Sequence, residues 1–165
     1  MLKPFSQNNL KRLYTAYKEH QYPHFFRHFA DGINLNLFTQ VFSSILTYDI
    51  VEDNELKGIF TATINTKTKN IDLGILLYNG NQLKGLAFKT MFKFIKASFN
   101  HDTHKVVGTV SSDDKRANEL LKKGGFIKEA TLRDISHYNN RYHDDIRWIL
   151  TIKRFNKIYK KESIL

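Results

Sequence analysis

The segment Ile71 to Phe99, IDLGILLYNGNQLKGLAFKTMFKFIKASF, constrains the fold more than any other stretch of the chain. Ile71 to Tyr78 reads as a buried strand, with Ile71, Leu73, Ile75 and Leu77 on one face and Asp72, Gly74, Leu76 and Tyr78 on the other. From about Lys84 to Phe99, the apolar positions Phe88, Met91, Phe92, Ile95 and Phe99 follow helical spacing, with Lys89, Lys93 and Lys96 mainly off the stripe. The short loop Gln82-Leu83-Lys84-Gly85-Leu86-Ala87 joins the two. A strand that hands the chain to a helix N-terminus through small residues builds an anion site. The first amides of the helix lack intrahelical partners, the helix dipole is positive there, and Gly or Ala lets a phosphate reach the backbone. The segment therefore reads as a pyrophosphate cradle, and its aromatic stripe as core.

The flanking sequence supplies a sheet for this unit. Ile45–Val51, Leu56–Ile64 and Ile71–Tyr78 are apolar runs joined by the polar turns 52–55 and 65–70, the pattern of an antiparallel meander. Downstream, Lys105–Ser111 is a short strand and Asp113 or Asp114 caps a helix that Gly124-Gly125 stops. Phe126–Ser136 and Tyr142–Ile152 are the last strands. Upstream, Leu2–Phe5 is a short strand, and residues 7–20, 23–30 and 36–44 read as helices. His20, His24 and His28 recur four apart, but Pro23 breaks the helix and no carboxylate or Cys completes a set. They read as part of an aromatic-rich docking surface, and no metal site is assigned.

At 165 residues and 41% apolar, the chain suits one domain: a helical part over 1–44, a sheet with helices over 45–152, and a basic tail over 153–165 that includes Lys153, Arg154, Lys157, Lys160 and Lys161. The absence of cysteine excludes disulfides and thiolate metal sites and fits a cytoplasmic protein, as does a start without a signal-peptide pattern. No stretch has the apolar length of a membrane span. Residues 1–80 carry 8 Lys and Arg against 7 Asp and Glu, a net +1, whereas residues 81–165 carry 18 against 9, a net +9. The positive field thus belongs to the half that begins with the cradle, and it favours an anionic ligand or an acidic or nucleic-acid-containing partner.

At Gln82-x-x-Gly85-x-Ala87 the chain resembles the acetyl-CoA-binding loop of the GNAT acetyltransferase superfamily. Lys115 to Phe126, with Ala117, the Leu120-Leu121 pair and the closing Gly125-Phe126, is similar to the family's second cofactor-side helix. Glu129 to Asp134 and Asp144-Asp145 resemble the branch that acetylates protein N-termini. The resemblance spans about residues 45–152. It implies an α+β fold, a mostly antiparallel sheet flanked by helices, with a V-shaped splay between its central strands. It also implies that backbone groups of Leu73, Ile75 and Leu77 pair with the pantetheine arm. Gln82, Leu83, Lys84, Gly85, Leu86, Ala87 and Phe88 would hold the pyrophosphate, with Asp114 and Ala117 nearby.

The implied reaction is direct attack of a neutral amine on the acetyl-CoA thioester, the amine belonging to a protein, a peptide or a small molecule. It requires an acceptor for the amine proton and a donor for the thiolate. Asp72 is the leading base candidate, read equally well as a strand-edge carboxylate; Ser112 and Tyr138 are the other catalytic candidates, with Ser111, His137 and His143 around them. Two positions depart from the family. The helix Tyr that often protonates the thiolate is matched by Leu121, and the Asn often found at that helix's start by Asp114. These departures support a second reading, a GNAT-fold protein that no longer catalyses and serves as a binding or structural component of a larger assembly.

Overall fold

Seven strands pair into one sheet of order β1-β2-β3-β4-β5-β7-β6 in a computed structural model that describes residues 1–78 and 85–159. Gln82, Leu83 and Lys84 of the cradle, and the last residues of the chain, lie outside the described residues. The strands are β1 (Leu2–Pro4), β2 (Leu46–Glu52), β3 (Glu55–Asn65), β4 (Asn70–Leu77), β5 (Lys105–Ser111), β6 (Ile127–Tyr138) and β7 (Arg141–Thr151). β4 and β5 run parallel, and every other neighbouring pair is antiparallel. The meander expected over residues 45–78 is β2-β3-β4.

Helices cover both faces. On one lie α1 (Gln7–Lys18), α2 (Pro23–Phe26) and α3 (Leu35–Ser43). Their Leu13, Tyr17, Phe26 and Phe38 pack with Ile59, Leu76 and Tyr78 of the sheet side. On the other lie α4 (Leu86–Phe99), α5 (Lys115–Lys123) and α6 (Ile152–Tyr159), whose Met91, Ile95, Leu121 and Phe155 enclose Val106 and Leu150. Side-chain caps start three helices: Ser6 accepts from the amide of Asn9, Asn34 from Leu37, and Asp114 from Ala117. A buried polar network fixes α1 to the sheet. Asn9 Nδ2 donates to Asp49 Oδ1 at 2.6 Å, the Tyr78 hydroxyl donates to Asn9, and the Arg12 guanidinium lies 3.9 Å from the Tyr78 ring centroid. Burial drives the Tyr78 phenol far above its ordinary pKa, so it remains a donor.

Two expectations change. The helix expected from Pro23 to Ala30 closes at Phe26, because Arg27 turns its own side chain back and Nη1 donates to the His24 carbonyl at 2.6 Å. The segment read as a basic tail from residue 153 begins instead as a helix. Phe155 of α6 is 6% exposed and its ring meets those of Phe92, Phe99 and Tyr159. The lysines hid a buried face: Ile152, Phe155 and Tyr159 recur at helical spacing under Lys153, Arg154 and Lys157.

A Phe155→Ala variant should lose about 3–5 kcal/mol of stability in urea unfolding, the usual cost of removing a core phenylalanine. A dispensable tail would give a change within about 0.5 kcal/mol.

Candidate active site

The β4–β5 ladder stops early. Its register runs from Asn70↔Lys105 to Leu73↔Gly108, although β4 continues to Leu77 and β5 to Ser111. The strands therefore part beyond Leu73 and Gly108, which is the V-shaped splay. Gly58 of β3 helps β4 depart: the carbonyl oxygen of Leu76 sits 2.0 Å from where a Cβ at position 58 would be. Only a residue without a side chain admits that approach.

Backbone polarity across the gap follows from the alternation of antiparallel pairing. The Tyr78 amide donates to the Lys57 carbonyl at 2.9 Å, so residues 72, 74 and 76 also turn their polar groups toward β3. Leu73, Ile75 and Leu77 turn theirs toward β5, and Ile75 and Leu77 lie beyond the last pair. On β5 the Ser112 amide donates to the Asp144 carbonyl at 2.8 Å, and the same alternation turns Thr109 and Ser111 toward β4. Both β5 carbonyls have partners: Arg27 Nη2 donates to Thr109 O at 2.7 Å, while Ser111 O accepts from Asn118 Nδ2 at 2.9 Å and from the Asp114 amide at 3.1 Å. Among the described residues, the β4 edge at Ile75 and Leu77 has no strand partner on this side.

The gap opens toward the start of α4. Gly85, with φ of 90°, is the N-cap and offers no side chain to the first-turn amides of Leu86, Ala87 and Phe88; a Cβ there would meet nothing within 4 Å. The described part of the cradle thus keeps the features of an anion seat at a helix of 14 residues. Asp114 spends its carboxylate on the Ala117 amide at 3.0 Å as the α5 cap. At the base of the gap Leu121, 5% exposed, fills the space left by Gly108, whose absent Cβ would lie 2.9 Å from Leu121 Cδ1.

Two polar clusters border the gap on the α1–α2 side. In the first, Asp145 is fully buried and accepts from Arg27 Nε at 2.9 Å, His28 Nε2 at 2.8 Å and Ser136 Oγ at 3.3 Å. Burial opposes the charge on Asp145, but the His28 hydrogen bond and the Arg27 guanidinium outweigh it and hold the carboxyl below its ordinary range. In the second, the Tyr138 hydroxyl lies 2.7 Å from Ser111 Oγ, and its ring stacks on His143 at 3.6 Å between centroids. His143 Nδ1 lies 2.7 Å from Asp113 Oδ2, a bond that holds Asp113 below the usual carboxylate range. Burial, with the nearby Asp113 and Asp145 carboxylates, raises the Tyr138 phenol against the pull of Ser111 and Arg27. Tyr138 is therefore neutral at neutral pH and keeps a proton to donate.

The expected catalytic residues do not converge on one point. Tyr138 and Ser111 meet at the open end of β5, and Ser112 is exposed one residue further. Asp72 pairs with Val107 at the closed end, about 13 Å along the strand from the level of Ser111. It is exposed; partial desolvation raises its carboxyl, opposed by Arg147 and Lys105. The three histidines disperse: His20 lines a cavity, His24 packs edge-on against Tyr138, and His28 binds Asp145. That cavity, about 360 Å³, lies between the α1–α2 connection and the β6–β7 hairpin and is lined by Tyr17, Phe26, Arg27, Asp31, His137 and Tyr138 among others. Arg27 and Asn118 had no sequence signal as gap residues. Arg27 lies between two imidazoles in His24-Phe-Phe-Arg-His28, and only its tertiary contacts disclose a role.

Asp145→Asn should destabilise the protein by about 3–5 kcal/mol at neutral pH, because it leaves Arg27 without its buried counter-charge. Since the folded pKa of Asp145 lies below the unfolded value, its contribution is present above about pH 4 and is lost as pH falls through the folded pKa. Urea unfolding of both proteins from neutral pH to about pH 2 should therefore show the gap narrowing with acid; a constant gap would contradict an ionised Asp145.

No protein-family model and no curated protein matches the sequence. Solved structures do. A spermidine N-acetyltransferase from Vibrio cholerae, in complex with CoA and spermine, superimposes with a TM-score of 0.80 at 17% identity, covering 94% of this chain and 96% of that one. A ribosomal-protein-alanine N-acetyltransferase from Brucella melitensis gives 0.73 at 11% identity over 92% and 99%. An N-acetyltransferase from Staphylococcus aureus Mu50 gives 0.74 at 13% over 92% and 97%. With its splayed seven-stranded sheet and these superpositions over nearly the full length of each chain, the protein has the GNAT acetyltransferase fold.

Proposed function

We propose that the protein transfers an acetyl group from acetyl-CoA to an amine. The observation that carries this reading is the unpaired β4 edge at Ile75 and Leu77, leading to the Gly85-capped start of α4. An extended pantetheine arm, with its amide groups, is the kind of ligand that completes such an edge, as an added strand would. The pyrophosphate then falls to the amides of Leu86, Ala87 and Phe88, with Gln82, Leu83 and Lys84 completing the loop, and Asp114 and Ala117 at the start of α5 beside it. The Vibrio cholerae relative of this fold was solved with CoA, which supports the assignment.

The acceptor reaches the gap through the cavity bounded by Arg27 and Tyr138, both of which also touch β5. Its neutral amine attacks the thioester carbonyl carbon, the carbon–sulfur bond breaks, an amide forms, and the amine's surplus proton leaves as the thiolate gains one. Tyr138, kept neutral, is the proposed donor to the sulfur, a task Leu121 cannot perform. Asp72, about 13 Å along β5 from the level of Tyr138, is the proposed proton acceptor only by way of a chain of several waters, and partial desolvation raises its carboxyl toward the range in which it both takes and releases a proton. Ser112, exposed at the end of β5, is the proposed polar contact for the acceptor.

Leu121 favours a second reading, a protein that binds acetyl-CoA without turning it over. Thiol release against a panel of small amines and peptides separates the two: acetyl-dependent release supports transfer, and binding without release supports the second. In the transfer case Tyr138→Phe should lower kcat about 100-fold with acetyl-CoA affinity retained.

Acetyl-CoA at about 100 times its Kd should add about 2.7 kcal/mol of stability. Gly85→Glu should abolish that shift by placing a carboxylate in the anion seat. Gly85→Asn, which tolerates the left-handed backbone without adding charge, should keep most of it. Equal behaviour of the two variants would contradict the cradle.

A further inference from the structure

One helical layer carries a net charge close to that of the whole protein. Helices α4, α5 and α6 carry ten Lys and Arg against the single carboxylate of Glu119, on a chain whose whole net charge is +10. The three helices form one continuous surface. The Phe92 ring of α4 meets Phe155 and Tyr159 of α6, and Ile158 of α6 reaches Gly125 just after α5.

The charge has two parts. Lys89, Lys115 and Arg116 sit in the first turns of α4 and α5, beside the proposed pyrophosphate seat. The other seven gather at the opposite end: Lys93 and Lys96 on α4, Lys122 and Lys123 closing α5, and Lys153, Arg154 and Lys157 on α6. All seven are exposed, and among the described residues none is in an ion pair. The carboxylates at that end are already engaged: Asp102 with Lys69, and Glu129 with Lys105 and Arg147. Seven like charges held together repel one another and weaken the fold unless an anion meets them.

We propose that this surface binds a nucleic-acid duplex through its phosphate backbone. Three packed helices span roughly 20 Å, a width over which a duplex presents about a dozen phosphates. None of the large exposed apolar side chains lies on α4, α5 or α6. Among the described residues the rings between α4 and α6, Phe92 and Tyr159, are half-buried and packed against Phe155, so the surface offers no fully exposed ring for stacking unpaired bases and no fully exposed apolar anchor for a bilayer, which favours a duplex over a single strand or a membrane. Recognition limited to phosphates is independent of base sequence.

Fluorescence anisotropy with labelled duplex DNA and duplex RNA of mixed sequence tests this on the full chain. Binding should be micromolar at about 0.1 M salt, with a log–log salt slope of about −4. Lys122→Glu/Lys123→Glu/Lys153→Glu/Lys157→Glu should weaken it at least tenfold and flatten the slope. Lys3→Glu/Lys11→Glu/Lys18→Glu, elsewhere on the molecule, should leave it unchanged, with circular dichroism confirming that both variants fold. Saturating CoA should leave duplex binding in place. The proposal fails if the four-residue variant binds as well as the parent, if CoA displaces the duplex, if single strands bind more tightly, or if vesicles containing anionic phospholipid compete at lower charge concentration than the duplex. None of these outcomes depends on whether the protein transfers acetyl groups.

Discussion

The early end of the β4–β5 ladder organises this structure. Two parallel strands that part after four pairs leave polar backbone groups facing each other across a gap, and such groups require partners. On β5 the protein provides them from within, through Arg27 to Thr109 and Asn118 to Ser111. These two contacts draw other residues into place. Arg27 needs Asp145 as counter-charge, which in turn gathers His28 and Ser136, while Asn118 also receives the indole of Trp148. On β4 the corresponding edge stays open beside a helix start that a Gly caps. Among the described residues, one strand edge is closed by side chains and the other has no strand partner, and that asymmetry underlies the proposed site.

The two helical layers divide the work. The α1–α3 side holds the tightly bonded elements around the gap: the Asn9–Asp49–Tyr78 network, the Arg27–Asp145 pair, and the Tyr138–His143 stack, with the cavity between them. The α4–α6 side is apolar inward and cationic outward. The excess of positive charge and the polar clusters thus occupy opposite faces of one sheet, so a partner on the basic face leaves the cavity side open.

Much of the architecture was legible because it rests on local patterns. Period-two runs and polar turns mark the meander, and Lys105–Ser111 is a strand over the residues its composition indicates. Gly85 and Gly124-Gly125 mark helix ends, and Asp114 caps α5. The splay was legible only through the resemblance, because it depends on where a ladder stops and not on any one residue's propensity. Two kinds of feature escaped. A lysine-rich segment concealed α6, whose one buried residue, Phe155, and two half-buried neighbours, Ile152 and Tyr159, are a weak signal beside its charges. Arg27 and Asn118 act through tertiary contacts across 82 and 7 residues, and no spacing rule marks a side chain that closes a distant carbonyl. The candidate catalytic residues divided for the same reason: Asp72 and Tyr138 are each recognisable in type, yet only the register shows that they stand at opposite ends of β5.

The central claim is that the open β4 edge receives acetyl-CoA. Backbone amide NMR of Leu73, Ile75 and Leu77 during an acetyl-CoA titration tests it most directly. The account predicts that the amides of Ile75 and Leu77 shift on binding and gain protection from hydrogen exchange, while Leu73, already within the ladder, changes less. Saturable binding that leaves the Ile75 and Leu77 amides unshifted and unprotected would place the ligand elsewhere and contradict the account.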